Sequence, residues 1–307
     1  MVLWRNVKTK SQLLLTVFYY CMQLYHTQSG ALLAYESKFY LIDEPWDALI
    51  NRDGLESYLL NKIQTGQPAA ADDQAQWLME DALFPPIGNQ EVWAAGVTYL
   101  KSRDARMEES QSSGAASLYD RVYDAERPEL FFKAMASRVS GHKQVVYIRK
   151  DSAWNVPEPE LTLFINSHGN IQGYTCGNDM SSRSIEGENA LYLPQAKIYE
   201  KSAGLGPCLY VTSKPVSGET RINMLIKRGN VEVYEDLTKV SQIKRSFTEL
   251  TGYLFREMDF PNGCFLMTGT CLVPSADFTL QEGDVVEISI DGIGTLINTI
   301  GINPKHK

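Results

Sequence analysis

Two glutamates on one face of an apolar stretch restrict this chain more than anything else in it. The stretch is Pro157-Glu158-Pro159-Glu160, followed by Leu161, Leu163 and Ile165, with Asn178-Asp179 eighteen residues after Glu160. Successive side chains of a strand alternate between faces, so the two glutamates point one way and the aliphatic residues the other. Two carboxylates side by side repel unless something positive lies between them. A hard divalent cation fills that place: Mg²⁺, or Mn²⁺ or Ca²⁺ in its stead, takes oxygen ligands and keeps positions open for water or substrate. Asp179 is the third candidate ligand. His168-Gly169-Asn170 reads as a tight turn and Ile171 to Thr175 as a returning strand, which would carry Asp179 back beside the pair. The plain alternative is two solvent-facing glutamates at a sheet edge, and E-x-E spacing alone does not separate the readings.

Composition narrows the classes. A net charge of −8 lacks the basic footprint that phosphate backbones require, so nucleic acid is excluded as a partner, while a small anionic substrate is not. Five cysteines without a C-x-x-C pair and four scattered histidines argue against structural zinc and for reduced thiols in a cytoplasmic protein. The apolar run Leu13 to Met22 is too short and interrupted to span a bilayer, and no membrane role is expected. Residues 1–21 are read as an extension outside the fold, the alternative being an amphipathic first helix.

Strand-like alternation over 22–42 and a helical pattern from Trp46 to Ile63 suggest a small N-terminal α+β domain over 22–86. It would end at Phe84-Pro85-Pro86-Ile87-Gly88, where two prolines cannot continue a helix. Residues 87–307 are strand-rich: Val92 to Tyr99, Leu130 to Phe132, Val145 to Ile148, Val231 to Leu237, Cys264 to Thr270, Val285 to Ile290 and Leu296 to Ile300. Lys101 to Tyr123 reads as a polar helical cover over a site. Ser241 is placed as the cap of a helix carrying Ile243, Phe247, Leu250 and Leu254. The fold class expected is α+β, mainly β.

Gly173-Tyr174, the run Asn178-Asp179-Met180-Ser181-Ser182-Arg183, Lys197 and Gly206-Pro207 follow the glutamates in an order that resembles the fumarylacetoacetate hydrolase family. Glu186-Gly187-Glu188-Asn189, Tyr192 to Lys197, and Tyr119 to Glu129 resemble its branch of 2-keto-3-deoxy-arabinonate dehydratases. The resemblance implies a rolled β-sandwich catalytic domain with the metal at its open end, assembled as a homodimer or homotetramer. It assigns metal binding to Glu158, Glu160 and Asp179. Lys197 becomes a proton-transfer residue or an ion-pair partner of those carboxylates. Arg183 orients the carboxylates or grips a substrate carboxylate. Thr268-Gly269-Thr270 matches a turn that meets the substrate. Glu129, where hydrolases carry an apolar residue, becomes the general base or else a rim ion pair with Arg127 or Lys133.

One departure decides between chemistries. Family hydrolases carry N-Y-x-x-H-x-x-E, whose histidine and glutamate activate water; here the stretch runs Thr98-Tyr99-Leu100-Lys101-Ser102-Arg103-Asp104-Ala105. Ser102 stands for the histidine, as a substrate contact, and Ala105 for the glutamate. Losing such a base removes about 10²- to 10⁴-fold of rate. The expectation is therefore proton abstraction from C3 of a 2-keto acid, an enolate, and loss of the C4 hydroxyl, turning 2-dehydro-3-deoxy-D-arabinonate into 2,5-dioxopentanoate. Alternatives are an acylpyruvate or β-diketone hydrolase, an oxaloacetate-type decarboxylase or tautomerase, and a non-catalytic sugar-acid binding protein.

Overall fold

The computed structural model describes residues 22–66, 83–100, 107 and 121–306. Residues 1–21, read above as an extension, and nearly all of the expected 101–123 cover lie outside the described residues.

Strands β1 (Met22–Thr27), β2 (Gly30–Tyr35) and β3 (Lys38–Ile42) form an antiparallel meander. The single helix expected from 46 to 63 is two: α1 (Trp46–Ile50) and α2 (Leu55–Thr65). Gly54 between them sits at φ +65°, a left-handed conformation that ends one helix and starts the next. Next come β4 (Glu91–Gly96), β5 (Glu129–Met135), β6 (Val139–Ser140), β7 (Gln144–Ile148), β8 (Asn155–Val156), β9 (Pro159–Ile165), β10 (Ile171–Asp179) and β11 (Ser181–Ser182). Two short helices, α3 (Arg183–Glu188) and α4 (Leu193–Lys197), precede β12 (Ala203–Val211), β13 (Arg221–Arg228) and β14 (Val231–Lys239). Helix α5 (Phe247–Leu254), β15 (Cys264–Met267), β16 (Val285–Ile290) and β17 (Gly294–Ile302) complete the chain. Its cap is Ser246, not Ser241, whose neighbourhood is a 3₁₀ turn over Val240–Gln242. Ser246 accepts from the Glu249 N–H, and the S-x-x-E spacing is that of a capping box.

The larger sheet runs β3-β2-β1-β12-β10-β9-β15-β4-β5, with β6 paired to β12; the smaller runs β14-β13-β16-β17-β7. Because β1 pairs directly with β12, segment 22–42 continues the same sheet as the strands after residue 87. The mainly β reading holds.

Strand β9 is central and buried on both faces. Leu161, Leu163 and Ile165 enter a core with Met224, Ile226, Val286 and Ile288 of the smaller sheet. Phe164 points the other way, against Phe265 (ring centroids 5.1 Å apart), in a second core that α1 and α2 cover with Leu49, Ile50, Leu55 and Leu59. Each such buried side chain stabilises the fold by about 1.5–3 kcal/mol. No helix among the described residues is long and apolar enough to cross a membrane. The four described cysteines are buried and form no disulfide with one another.

Candidate active site

The turn Asn166–Asn170 closes as expected, with the Asn166 N–H donating to Asn170 O and Gly169 N–H to Asn166 O, both at 3.0 Å. Asp53 secures it from outside: Oδ1 accepts from Asn166 Nδ2 (2.6 Å) and Asn170 Nδ2 (2.8 Å), and Oδ2 pairs with His168 Nδ1 (2.7 Å). These bonds hold the Asp53 carboxyl down at about 2. Running back from the turn, β10 pairs with β9 so that Gly177 faces Glu160 and Asn178 faces Pro159. The Asp179 N–H then donates to Glu158 O at 2.9 Å.

Glu158, Glu160 and Asp179 are all buried, and their oxygens lie within 4.8 Å of one another. The solvent-facing alternative is overturned. Buried carboxylates are costly unless paired; Glu158 and Asp179 are ion-paired, and Glu160 accepts a backbone N–H. Arg183 Nη2 donates to Glu158 Oε1 (2.6 Å). Lys197 Nζ reaches Glu158 Oε2 (2.6 Å), Asp179 Oδ2 (2.8 Å) and Ser181 Oγ (2.5 Å). Glu160 Oε2 accepts the Gly269 N–H at 2.6 Å. Burial, then the Asp179 and Glu158 charges, push the Glu160 carboxyl well above the usual carboxylate range.

Local sequence explains these placements. Ser182 caps α3 by accepting from Ile185 N–H, which fixes Arg183 in the first turn. Helix α4 starts on Leu193-Pro194, where proline is tolerated, and ends at Lys197. Gly269 holds φ +94°, and a Cβ there would overlap Thr98 Oγ1, so a side chain is excluded where the backbone approaches Glu160.

Ala95, Gly96, Val97, Phe131, Gly269 and Thr270 line the cleft with the charged groups. Val97 stands at φ +53°, an outlier for a β-branched residue and a form of strain that gathers at functional sites. A wider cavity of ≈ 640 Å³, beside Tyr147, Arg149 and Tyr199, contains no carboxylate cluster, so size does not select the site.

Glu129 lies at the start of β5, opposite Gly96 of β4. A Cβ on Gly96 would overlap Glu129 Oε2, so that carboxylate lies over Gly96, which lines the cleft, while Glu129 itself does not line it. The alternative placed on Glu129, an ion pair with Lys133, does not form: Lys133 is fully buried, pairs with Asp179 Oδ1 (2.6 Å) and donates to the carbonyls of Met180 (2.9 Å) and Lys197 (2.5 Å). Thr268 does not line the cleft: its hydroxyl donates to Leu161 O (2.8 Å) and its carbonyl accepts from Thr98 Oγ1 (2.7 Å). Thr270 and Gly269 do line it. Gly206-Pro207 is a cis peptide inside β12. Ser102 lies outside the described residues. Sequence reasoning missed the site roles of Lys133, Ser181 and Gly96; the one signal for Lys133 was a lysine within the apolar run Leu130 to Met135.

The model of the "Fumarylacetoacetate (FAA) hydrolase C-terminal" family matches residues 92–301. The chain belongs to the fumarylacetoacetate hydrolase family. Family members similar to it include a "Probable 2-keto-3-deoxyxylonate dehydratase" of Haloferax volcanii, 49% identical over 217 residues (70% of this chain, 73% of that one). A "2-dehydro-3-deoxy-D-arabinonate dehydratase" of Saccharolobus solfataricus is 40% identical over 219 residues, with the same coverage of each. Among solved structures, 2-keto-3-deoxy-D-arabinonate dehydratase complexed with magnesium and 2,5-dioxopentanoate matches with TM-score 0.77 and 31% identity. That match covers 92% of this chain and 99% of the other.

Proposed function

We propose that this chain is a Mg²⁺-dependent dehydratase converting 2-dehydro-3-deoxy-D-arabinonate to 2,5-dioxopentanoate. The observation that carries the reading is the buried cluster of Glu158, Glu160 and Asp179, with Lys197 between two of them and Glu129 against Gly96, which lines the cleft. Three hard oxygen donors converging within 4.8 Å fit Mg²⁺, with Mn²⁺ as a substitute. When bound, such an ion acts as a Lewis acid toward the oxygens of a 2-keto acid.

The side chains supply the rest. Glu129 is placed to take a proton from C3, the carbon next to the keto group. Lys197, an ammonium with several acceptors in reach, is placed to give a proton to the departing C4 hydroxyl, which leaves as water. The 3,4-alkene so formed, still carrying its C5 hydroxyl, is an isomer of the product: loss of a proton from C5 and of the C5 hydroxyl proton, with uptake of one at C3 and one at C4, makes the C5 aldehyde of 2,5-dioxopentanoate. Arg183 holds Glu158 and lends positive charge to a wall that receives an anionic substrate. Gly269 and Thr270 offer backbone and hydroxyl contacts to the sugar-acid chain. Ser102 in place of the hydrolase histidine, and Ala105 in place of its glutamate, favour elimination over attack by water. Buried cysteines that form no disulfide with one another suit a cytoplasmic enzyme, and assembly as a homodimer or homotetramer completes the reading.

The test is product formation. Purified protein with Mg²⁺ is given 2-keto-3-deoxy-arabinonate of each C4 configuration, and acylpyruvate separately. The expected result is 2,5-dioxopentanoate from one configuration, abolished by chelator. Cleavage of acylpyruvate alone would replace this reading with a hydrolase.

A further inference from the structure

Lys133 is a second buried lysine of the site, beside Lys197. It is completely buried; its ammonium donates to Met180 O and Lys197 O and forms an ion pair with Asp179 Oδ1 at 2.6 Å. Those three partners belong to the end of β10, to the link into β11 and to the last residue of α4. The Lys197 carbonyl is one of the helix-end carbonyls that no intrahelical N–H can satisfy. The two Asp179 oxygens are divided, Oδ1 to Lys133 and Oδ2 to Lys197. A leucine or methionine would fill the same volume in this strand at lower desolvation cost, but would leave one carboxylate oxygen without this cation and two carbonyls without their donor.

We infer that Lys133 is a positioning residue, which fixes the Asp179 carboxylate and the Lys197 backbone in one register. Asp179 then presents Oδ2 to the centre of the cluster while Lys197 extends its ammonium beside it. Without Lys133, Asp179 rotates to find a donor for Oδ1 and α4 loses its tether. The third carboxylate arm and the proton-handling group drift together. This deepens the metal-dependent dehydratase reading and rests on it.

The test compares wild type, Lys133→Met and Lys133→Arg as full-length proteins. Three quantities are measured: Mn²⁺ affinity by calorimetry, kcat and KM on 2-keto-3-deoxy-arabinonate, and thermal unfolding. Loss of a group that orients a metal ligand weakens the metal by about 10- to 100-fold. Lys133→Met is expected in that range, with kcat falling far more than KM rises. Lys133→Arg keeps charge and donors but not the three-partner geometry, and should fall between wild type and Lys133→Met. A lysine with a structural task only would lower the unfolding temperature and leave Mn²⁺ affinity and kcat at wild-type values, which overturns the inference. Where Lys133→Met does not fold, Lys133→Arg decides alone: reduced affinity and kcat support the inference, and wild-type values overturn it. Wild type failing to bind Mn²⁺ would instead remove the metal reading on which the inference stands.

Discussion

Gly96 lies directly beneath the carboxylate of Glu129, so closely that a single added methyl would collide with Oε2. The cross-strand pairing of these two residues holds Glu129 beside Gly96, which lines the cleft. Gly96→Ala should therefore behave like a lesion of Glu129 itself. Both Gly96→Ala and Glu129→Gln are expected to lower kcat by about 10²- to 10⁴-fold, the range for losing a general base. Mn²⁺ affinity, read by calorimetry, should stay near wild type in both. Normal turnover in Gly96→Ala would show that the Glu129 carboxylate is not the base.

Gly269 combines a left-handed backbone with a backbone N–H aimed at Glu160. Gly269→Ala should cost about 1–3 kcal/mol of stability from strain alone, measurable by urea unfolding. Displacement of Thr98 adds to it, because the new Cβ meets Thr98 Oγ1. An unchanged urea midpoint would contradict the packing described here.

Asp53 links stability to pH. Its carboxyl is held at about 2 by the turn amides and His168, below the ordinary 3.8 of an unfolded aspartate. A depressed carboxylate stabilises the fold above its unfolded value and loses that contribution as pH falls through the folded value. Asp53→Asn should thus be less stable than wild type at neutral pH. The gap should narrow below pH ~4 and close near pH ~2. Urea titrations at several pH values check this, and a gap constant down to the lowest pH would contradict it.

Ser246 offers a prediction away from the site. Ser246→Ala removes the acceptor for the Glu249 N–H and should destabilise the protein by about 0.5–2 kcal/mol with kinetics unaltered. Equal unfolding midpoints for variant and wild type would return the cap to another residue.

Much of the site was legible because it rests on local pattern. Period-2 alternation placed Glu158 and Glu160 together, and a three-residue turn signal brought Asp179 back to them. Elements that depend on context were harder to read. Strand β12 contains Gly204, Gly206 and Pro207, which read as a breaker, yet it pairs along both β1 and β10. The helix cap at Ser246 was hidden behind the apolar Ile243, although Ser246 and Glu249 carried the capping spacing. Lys133 was read only as a rim partner of Glu129: a lone lysine in a strand carries no sign of which distant carbonyls will surround it. Thr268 misled for the opposite reason, since a motif match does not say whether a hydroxyl faces a ligand or its own sheet.

The central claim is that the three buried carboxylates hold the cation on which turnover depends. The direct measurement is Mn²⁺ titration and dehydratase activity on the same samples of wild type, Glu158→Gln, Glu160→Gln and Asp179→Asn. The account predicts one Mn²⁺ per wild-type chain, with binding and turnover lost together in the three variants. Metal content at the wild-type level with full activity in Glu158→Gln would contradict it.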